Sequence, residues 1–315
     1  MDLKSRIIEC ATAEAADLVG FANADRFPKD DPIFKIYPEV KTVICLAFRV
    51  LRGIYRGIEE GSTFYQFTTM ARQTLEETVL PIATLRVANL IEAEGYPALP
   101  QHRSNVLVKE EGDTNPEAPY ADVVAVGDKE FEMNFDSSAV LCGIGELGFY
   151  GKLLTDEFGP MVRVCFVLTD AEIEADSVKK PHLCDNCGEC AKGCVGHAID
   201  EKTGKLDNWQ CAVYYDGAAG VKNPFMNPTA FEEFENRLDI IAGEAKVDRE
   251  TAIKIINSNA FYPGINNLFA ACMCGRGCDM ACYSHLESKG VLTKKFKTPF
   301  RRREEWKFDI EDFKI

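Results

Sequence analysis

The chain has 315 residues, 46% of them hydrophobic and 27% charged, and a formal net charge of −14. That length holds about two domains with real apolar cores. The acidic balance argues against a broad nucleic-acid footprint, which needs a basic face, and no apolar run approaches the roughly 18 residues of a membrane span.

Chain order begins with MDLKSRIIECATAEAADLV, which reads as an amphipathic helix: Leu3, Ile7, Ile8, Ala11, Ala15 and Leu18 recur at helical spacing. It has neither a signal-peptide apolar core nor twin arginines, so a cytoplasmic protein without a membrane anchor is expected. Up to about residue 175 helix and strand signals alternate. Strand-like runs fall at 18–22 and at 42–48 (TVICLAF). A long helix is expected over 64–94, kinked or divided at Pro81 and stopped by Gly95. NVLVK (105–109) and DVVAV (122–126) read as strands, 137–147 as a short helix and VRVCFVL (162–168) as a strong strand. Cys45 and Cys165, inside two of these strands, read as small buried core residues, and Cys10 as helix packing.

The segment 170–180 turns from acidic to basic, and Pro181 opens a cysteine-rich region, so a domain boundary is set near 176. Two helices are expected further on. One starts at an Asn227–Pro228 cap and buries Phe231, Phe234, Leu238 and Ile241; the other starts near Asp248 and buries Ala252, Ile255 and Ile256. In the C-terminal tail Lys294, Lys295, Lys297, Arg301, Arg302, Arg303 and Lys307 face only Glu304 and Glu305. The default reading is a solvated tail, or one that pairs with the acidic body.

Chemistry concentrates in the cysteines. Cys184, Cys187, Cys190 and Cys194 have the spacing C-x2-C-x2-C-x3-C, and Cys272, Cys274, Cys278 and Cys282 form a second group. The first spacing is that of bacterial two-cluster ferredoxins, in which three thiolates hold one [4Fe–4S] cube and the fourth holds its neighbour. Two intervening residues let a short loop curl around a cube, and the fourth cysteine, a helical turn on, points away. Zinc, which favours two separated Cys-x2-Cys knuckles, and disulfides, which need an oxidising compartment, are the weaker competitors. Gly143, Gly145 and Gly148 spell G-x-G-x-x-G. A dinucleotide site needs a strand before that turn and a helix after it. Here a capped helix start precedes and no helix follows, so the glycines are read as permitting a tight turn and close backbone approach.

The segment DSSAVLCGIGELGFYGKLLTDEFGPMVRVCFVLTD, together with the cysteine spacing, resembles the epoxyqueuosine reductases and the reductive dehalogenases, corrinoid-dependent reductases. Matching residues are Asp136, Ser137, Gly143, Gly145, Glu146, Gly148, Gly151, Lys152, Phe158, Gly159 and Arg163, and the resemblance covers roughly 120–290. It implies an α+β fold. A nitroreductase-like α/β domain (1–176) would hold a corrinoid (cobalamin). A ferredoxin-like domain with two [4Fe–4S] clusters (177–292), a helical insertion at about 227–258 and a basic tail (293–315) would follow. It also implies ligands: Cys184, Cys187, Cys190 and Cys282 for one cluster, and Cys194, Cys211, Cys278 and Cys272 or Cys274 for the other, with Cys274 preferred by spacing. In the family an aspartate at the position of Asp136 donates a proton; the alternative is that Asp136 caps the following helix. Gly143, Gly145, Gly148, Gly151, Lys152 and Arg163 are the candidate cofactor contacts, the last two through an anionic group.

The sequence departs from the family pattern in three places. Val195 replaces a proline, His197 stands where a small residue is usual, and about sixty residues separate Cys211 from Cys272. The helical-repeat extension with which epoxyqueuosine reductases hold tRNA is not seen, so a small-molecule substrate is expected. A low-potential donor such as ferredoxin or flavodoxin would supply electrons. Two alternatives stay open: an electron-transfer protein without substrate chemistry, and FMN in place of the corrinoid.

Overall fold

A computed structural model describes residues 1–62, 67–101, 133–215, 217–224, 226–258, 274 and 276–314. Helix α1 (Leu3–Ala13) is capped by Asp2, whose carboxylate accepts from the Ser5 N–H at 2.8 Å. It ends where Ala15 takes a φ of 70°. Strands β1 (Leu18–Asn23) and β2 (Thr42–Arg49) follow, then helix α2 (Arg52–Glu59).

The long expected helix is two elements. Phe67–Val79 is wound as a π-helix, and α3 (Leu80–Ala93) continues it as an α-helix. In the wide part the Thr74 hydroxyl donates to the Thr69 carbonyl five residues back, at 2.8 Å. Pro81 lies in the first turn of α3, at the junction where the π-winding gives way to the α-helix. Gly95, with a φ of 90°, follows the helix as expected.

Next come β3 (Ala98–Gln101), α4 (Phe135–Leu141), the short strands β4 (Glu146–Leu147) and β5 (Leu153–Leu154), and β6 (Val162–Thr169). The main sheet runs β1-β2-β6-β3, antiparallel throughout. Every residue of β6 is buried, as is β2 up to Phe48, which is why both read as unbroken apolar runs. Val43, Cys45 and Ala47 pack toward Phe135, Ala139 and Cys142 of the α4 segment. Ile44, Leu46 and Phe48 pack toward Ile7, Val87 and Ile91 of α1 and α3. Cys45 and Cys165 are core residues as expected.

Two expected helices are shorter than the periodicity suggests. α4 stops at Cys142 because Gly143 adopts a φ of 78°, a helix terminator. Residues 228–235 form turns, and the helix begins only at Arg237 (α7 below). The cause is local: Phe231 has a φ of 64°, and the buried Arg237 guanidinium donates to the carbonyls of Pro228, Ala230 and Phe313. The turn carbonyls are thus satisfied without a helix. Phe231 and Ile241 are still core residues.

The cysteine region contains α5 (Glu189–Lys192), α6 (Asn208–Tyr215), α7 (Arg237–Ala242), α8 (Arg249–Asn257) and α9 (Gly277–Ser288). Asp248 caps α8 through the Thr251 N–H at 2.8 Å. A shared core of Val50, Tyr55, Leu154, Leu183, Met280, Tyr283 and Phe300 joins this region to the sheet. The expected strands 105–109 and 122–126, and Cys272, lie outside the described residues. Among the described residues no helix is long and apolar enough to cross a membrane.

Candidate cluster sites and the buried charge network

Cys184 and Cys187 sit in the loop before α5, Cys190 on α5, and Cys282 on α9. These four thiols, from segments about 90 residues apart, line one small cavity with Gly148, Tyr150 and His285. The loop is held from below by Glu146, which is 3% exposed. Its carboxylate accepts from the N–H groups of His182 (2.5 Å), Leu183 (3.0 Å) and Cys184 (2.8 Å). Burial pushes the Cys190 thiol up to about 11. A site of this kind is costly to ionise until a metal takes the thiolates.

The second group forms around Cys194, Cys274 and Cys278. Burial first, then Asp279, raises the Cys278 thiol, and Cys274 and Cys194 are close enough to add to the effect. The Ala198 N–H donates to the Cys194 sulfur at 3.3 Å and the Arg276 N–H to that of Cys274 at 3.4 Å. Such donors stabilise thiolates and tune cluster potentials. Cys211 is half-buried on α6. That helix is fastened to the loop after Cys194, since Gln210 donates to the Gly196 carbonyl at 2.8 Å and the Tyr214 ring fills the space beside Gly196.

The two groups meet where α5 ends against α9. A Cβ on Gly193 would lie 2.6 Å from the Ala281 Cβ and 2.8 Å from the Gly277 carbonyl, and one on Gly277 would lie 2.3 Å from the Gly193 carbonyl. Only glycines permit this approach.

Asp136 lies in the first turn of α4, but the cap is Asn134, which accepts from the Ser137 N–H at 3.1 Å. Asp136 Oδ1 instead accepts from the Lys152 ammonium and the Leu153 N–H, each at 2.9 Å. Burial lowers the Lys152 ammonium, against the pull of Asp136. Arg163, also buried, is ion-paired with Glu76 of the π-helix. Beyond them lies Asp279, fully buried on α9 between Cys278 and Cys282. It accepts from Arg276 Nε at 2.8 Å, from the Tyr150 hydroxyl at 2.5 Å and from the Tyr55 hydroxyl at 3.4 Å. Burial would push its carboxyl up, but Arg276, Lys152 and Arg163 together hold it below the usual range. One charge network therefore joins the glycine-rich segment to α9.

The candidate glycines divide. Gly143 is closed by the Ser177 carbonyl, Gly145 by that of Leu154, and Gly148 by the Leu154 side chain, so the close approach is made by the chain itself. Gly151, with a φ of 80°, has nothing within 4 Å of its Cβ direction. His197, with a φ of 48°, lies 3.5 Å from Glu244. Sequence reasoning marked Glu146 only as a match to the family segment and passed over Glu76, Tyr55, Tyr150, Arg276, Asp279, Gly193 and Gly277. Among the residues passed over, Asp279 offered a signal, as a carboxylate between two expected cluster ligands on a helix.

No family model matches the chain. Over 67 residues it is 39% identical to the tetrachloroethene reductive dehalogenase of Desulfitobacterium hafniense. That match covers 20% of this chain and 12% of the relative. A solved epoxyqueuosine reductase in complex with a modified tRNA-Tyr stem loop aligns with 92% of this chain and 83% of its own, at 14% identity and a TM-score of 0.46. A reductive dehalogenase described in terms of B12-dependent dehalogenation aligns with 80% of this chain and 35% of its own, at 17% identity and a TM-score of 0.48. The chain is thus similar to the epoxyqueuosine reductases and reductive dehalogenases, the two groups that its glycine-rich segment and cysteine spacing resemble.

Proposed function

We propose that the chain is an oxidoreductase that carries single electrons through two [4Fe–4S] clusters to a corrinoid-assisted reduction of a small molecule in the cytoplasm. The observation that carries this reading is the meeting of Cys184, Cys187 and Cys190 with the distant Cys282 around one cavity. The grouping of Cys194, Cys274 and Cys278, with Cys211 on the neighbouring helix, supports a second cluster. The division into a nitroreductase-like domain (1–176), a ferredoxin-like domain (177–292) and a basic tail (293–315) belongs to the same reading.

For the corrinoid, the residues that fit are Asp136, Gly151 and Lys152. Gly151 leaves an open backbone face, and Lys152 sets the orientation of the Asp136 carboxyl beside it. A bound corrinoid would supply a reducible cobalt able to cleave a substrate bond. Asp136 would hold the proton for the reacting atom, and its Oδ1, gripped by Lys152 and the Leu153 N–H, fixes where that proton points. Arg163 is engaged by Glu76 and Lys152 by Asp136, so an anionic substrate group would compete with carboxylates of the chain. Gly143, Gly145 and Gly148 would act indirectly, by shaping the turn that carries Glu146 to the cluster loop. A ferredoxin or flavodoxin would donate the electrons.

The test is an anaerobic EPR titration of the reconstituted protein with cob(II)alamin, before and after chemical reduction. Two sets of cluster signals and a cobalt spectrum changed from that of free cob(II)alamin are expected. Cluster signals with cobalt unchanged from free solution would refute the corrinoid part and leave an electron-transfer or FMN protein. An absence of cluster signals would refute the whole reading.

A further inference from the structure

The basic segment after α9 is not a loose tail. Phe300 is fully buried, its N–H donates to Glu287 at 2.6 Å and its ring meets Tyr283 at 5.4 Å. The Thr293 N–H donates to the Asp156 carbonyl at 2.7 Å, and Arg52 stacks on Phe296 at 4.3 Å while pairing with Glu287 at 2.6 Å. So anchored, the segment forms an open groove of about 460 Å³ with the last turns of α9. Lys294, Lys295 and Lys297 line it around Phe296, a phenylalanine 47% exposed. Arg302 and Arg303 are exposed just beyond. Among the described residues no carboxylate lies within ion-pair distance of Lys294, Lys297, Arg302 or Arg303.

The position of this groove gives it meaning. His285 and Leu286 of α9 line the cavity of Cys184, Cys187, Cys190 and Cys282, whereas the flanking Ser284 and Glu287 line the basic groove. Along the helix Cys282 and Glu287 are separated by about 7.5 Å of rise. Electron tunnelling falls steeply with distance, so a carrier seated in the groove has the first cluster as its nearest acceptor. Residues 294 to 307 contain seven cations and two carboxylates, and although Arg301 is paired with Glu59, the segment stays basic on a chain whose net charge is −14. An acidic partner is repelled by the bulk of the surface and attracted here, which fixes its orientation.

We infer that this groove is the docking site for a small acidic one-electron carrier protein, which reduces the cluster of Cys184, Cys187, Cys190 and Cys282. One electron leaves the carrier, which is oxidised by one unit; the cluster is reduced by one unit; no proton moves. The inference rests on the two-cluster reading above. RNA is the less apt occupant, because the residues lining the groove do not include Asp136.

The test is stopped-flow reduction of the cluster-loaded full chain by two probes. One is a reduced, acidic two-cluster bacterial ferredoxin; the other is reduced methyl viologen, a small cation that needs no docking site. In Lys294→Glu/Lys295→Glu/Lys297→Glu the ferredoxin rate constant is expected to fall by about tenfold or more at low salt. The methyl viologen rate is expected to hold, and the wild-type ferredoxin rate to fall as ionic strength rises. A ferredoxin rate unaffected by salt in the wild type would overturn the inference whether or not the variant folds. So would a variant that accepts ferredoxin electrons at the wild-type rate, or one that loses affinity for an RNA stem loop while keeping that rate. Failure of methyl viologen to bleach any cluster would instead sink the two-cluster reading, and the docking site with it.

Discussion

Replacing Glu146 by alanine removes one carboxylate that serves three N–H donors of the first cluster loop. His182 is exposed and water can serve its N–H, but Leu183 is 1% exposed and Cys184 is half-buried. A buried donor left without an acceptor costs about 1–3 kcal/mol. Counting Leu183 and Cys184 alone gives about 2–6 kcal/mol, a large share of the roughly 5–15 kcal/mol that holds a domain together. The damage is local, so on the two-cluster reading the Cys184 group and the Cys194 group should respond differently. Purified Glu146→Ala should lose the iron held by Cys184, Cys187, Cys190 and Cys282 and retain the iron of the Cys194 group. Iron per chain and EPR of the reduced protein measure this, and urea unfolding followed by circular dichroism measures the stability. Glu146→Gln keeps one acceptor oxygen, which at the Oε2 position still serves His182 and Leu183, and turns its amide N–H2 toward the Cys184 N–H, so it should fall between wild type and alanine. Full iron content and an unchanged urea midpoint in Glu146→Ala would refute the assignment of Glu146 as the anchor of the loop.

Further outcomes follow from the same geometry. Gly193→Ala places a methyl 2.6 Å from Ala281 and should cost about 1–3 kcal/mol by overpacking, seen as a lower thermal midpoint and reduced iron in both clusters. Asp136→Asn keeps the size of the side chain but cannot donate the acid proton, so turnover should drop by about 10²- to 10⁴-fold with cluster EPR unchanged; an enzyme retaining full turnover would remove Asp136 from the mechanism. Asp279 is held below the usual carboxylate range, so its stabilising effect is complete above about pH 4 and is lost as pH falls through its lower folded value. The stability gap between the wild type and Asp279→Asn should therefore be flat near neutrality and close on acidification, as read from urea midpoints across acidic pH; a gap that widens in acid would contradict the sign.

Much of the sheet was legible because β2 and β6 are buried on both faces, and burial on both faces writes an unbroken apolar run into a sequence. The grouping of the cysteines was legible for a related reason: residues that a short loop turns toward one cavity recur at short, fixed intervals. What the sequence hid were effects that depend on a distant partner. The helix expected from residue 227 is pre-empted by Arg237, which satisfies turn carbonyls that a helix would otherwise have used. The helix expected to reach 147 is cut short by Gly143, whose left-handed backbone brings Glu146 under the cysteine loop. Glu76 and Arg163 are 87 residues apart and meet only because the π-helix lies against β6. Asp136 could be read as a cap or as a functional acid; the cap turned out to be Asn134, and the Asp136 side chain turns instead to Lys152.

The glycine contact between α5 and α9 bears on how this protein can vary over generations. Where two helices are spaced by side chains, every substitution at the seam resets the gap, and on the two-cluster reading the hop between the Cys184 and Cys194 groups would lengthen or shorten with it. Here backbone rests on backbone at Gly193 and Gly277, so the gap is set by peptide thickness and not by the choice of residues. Drift in the surrounding cores can soften or stiffen the protein while leaving the hop length as it was. The seam itself admits no gradual change, because the smallest step away from glycine already collides.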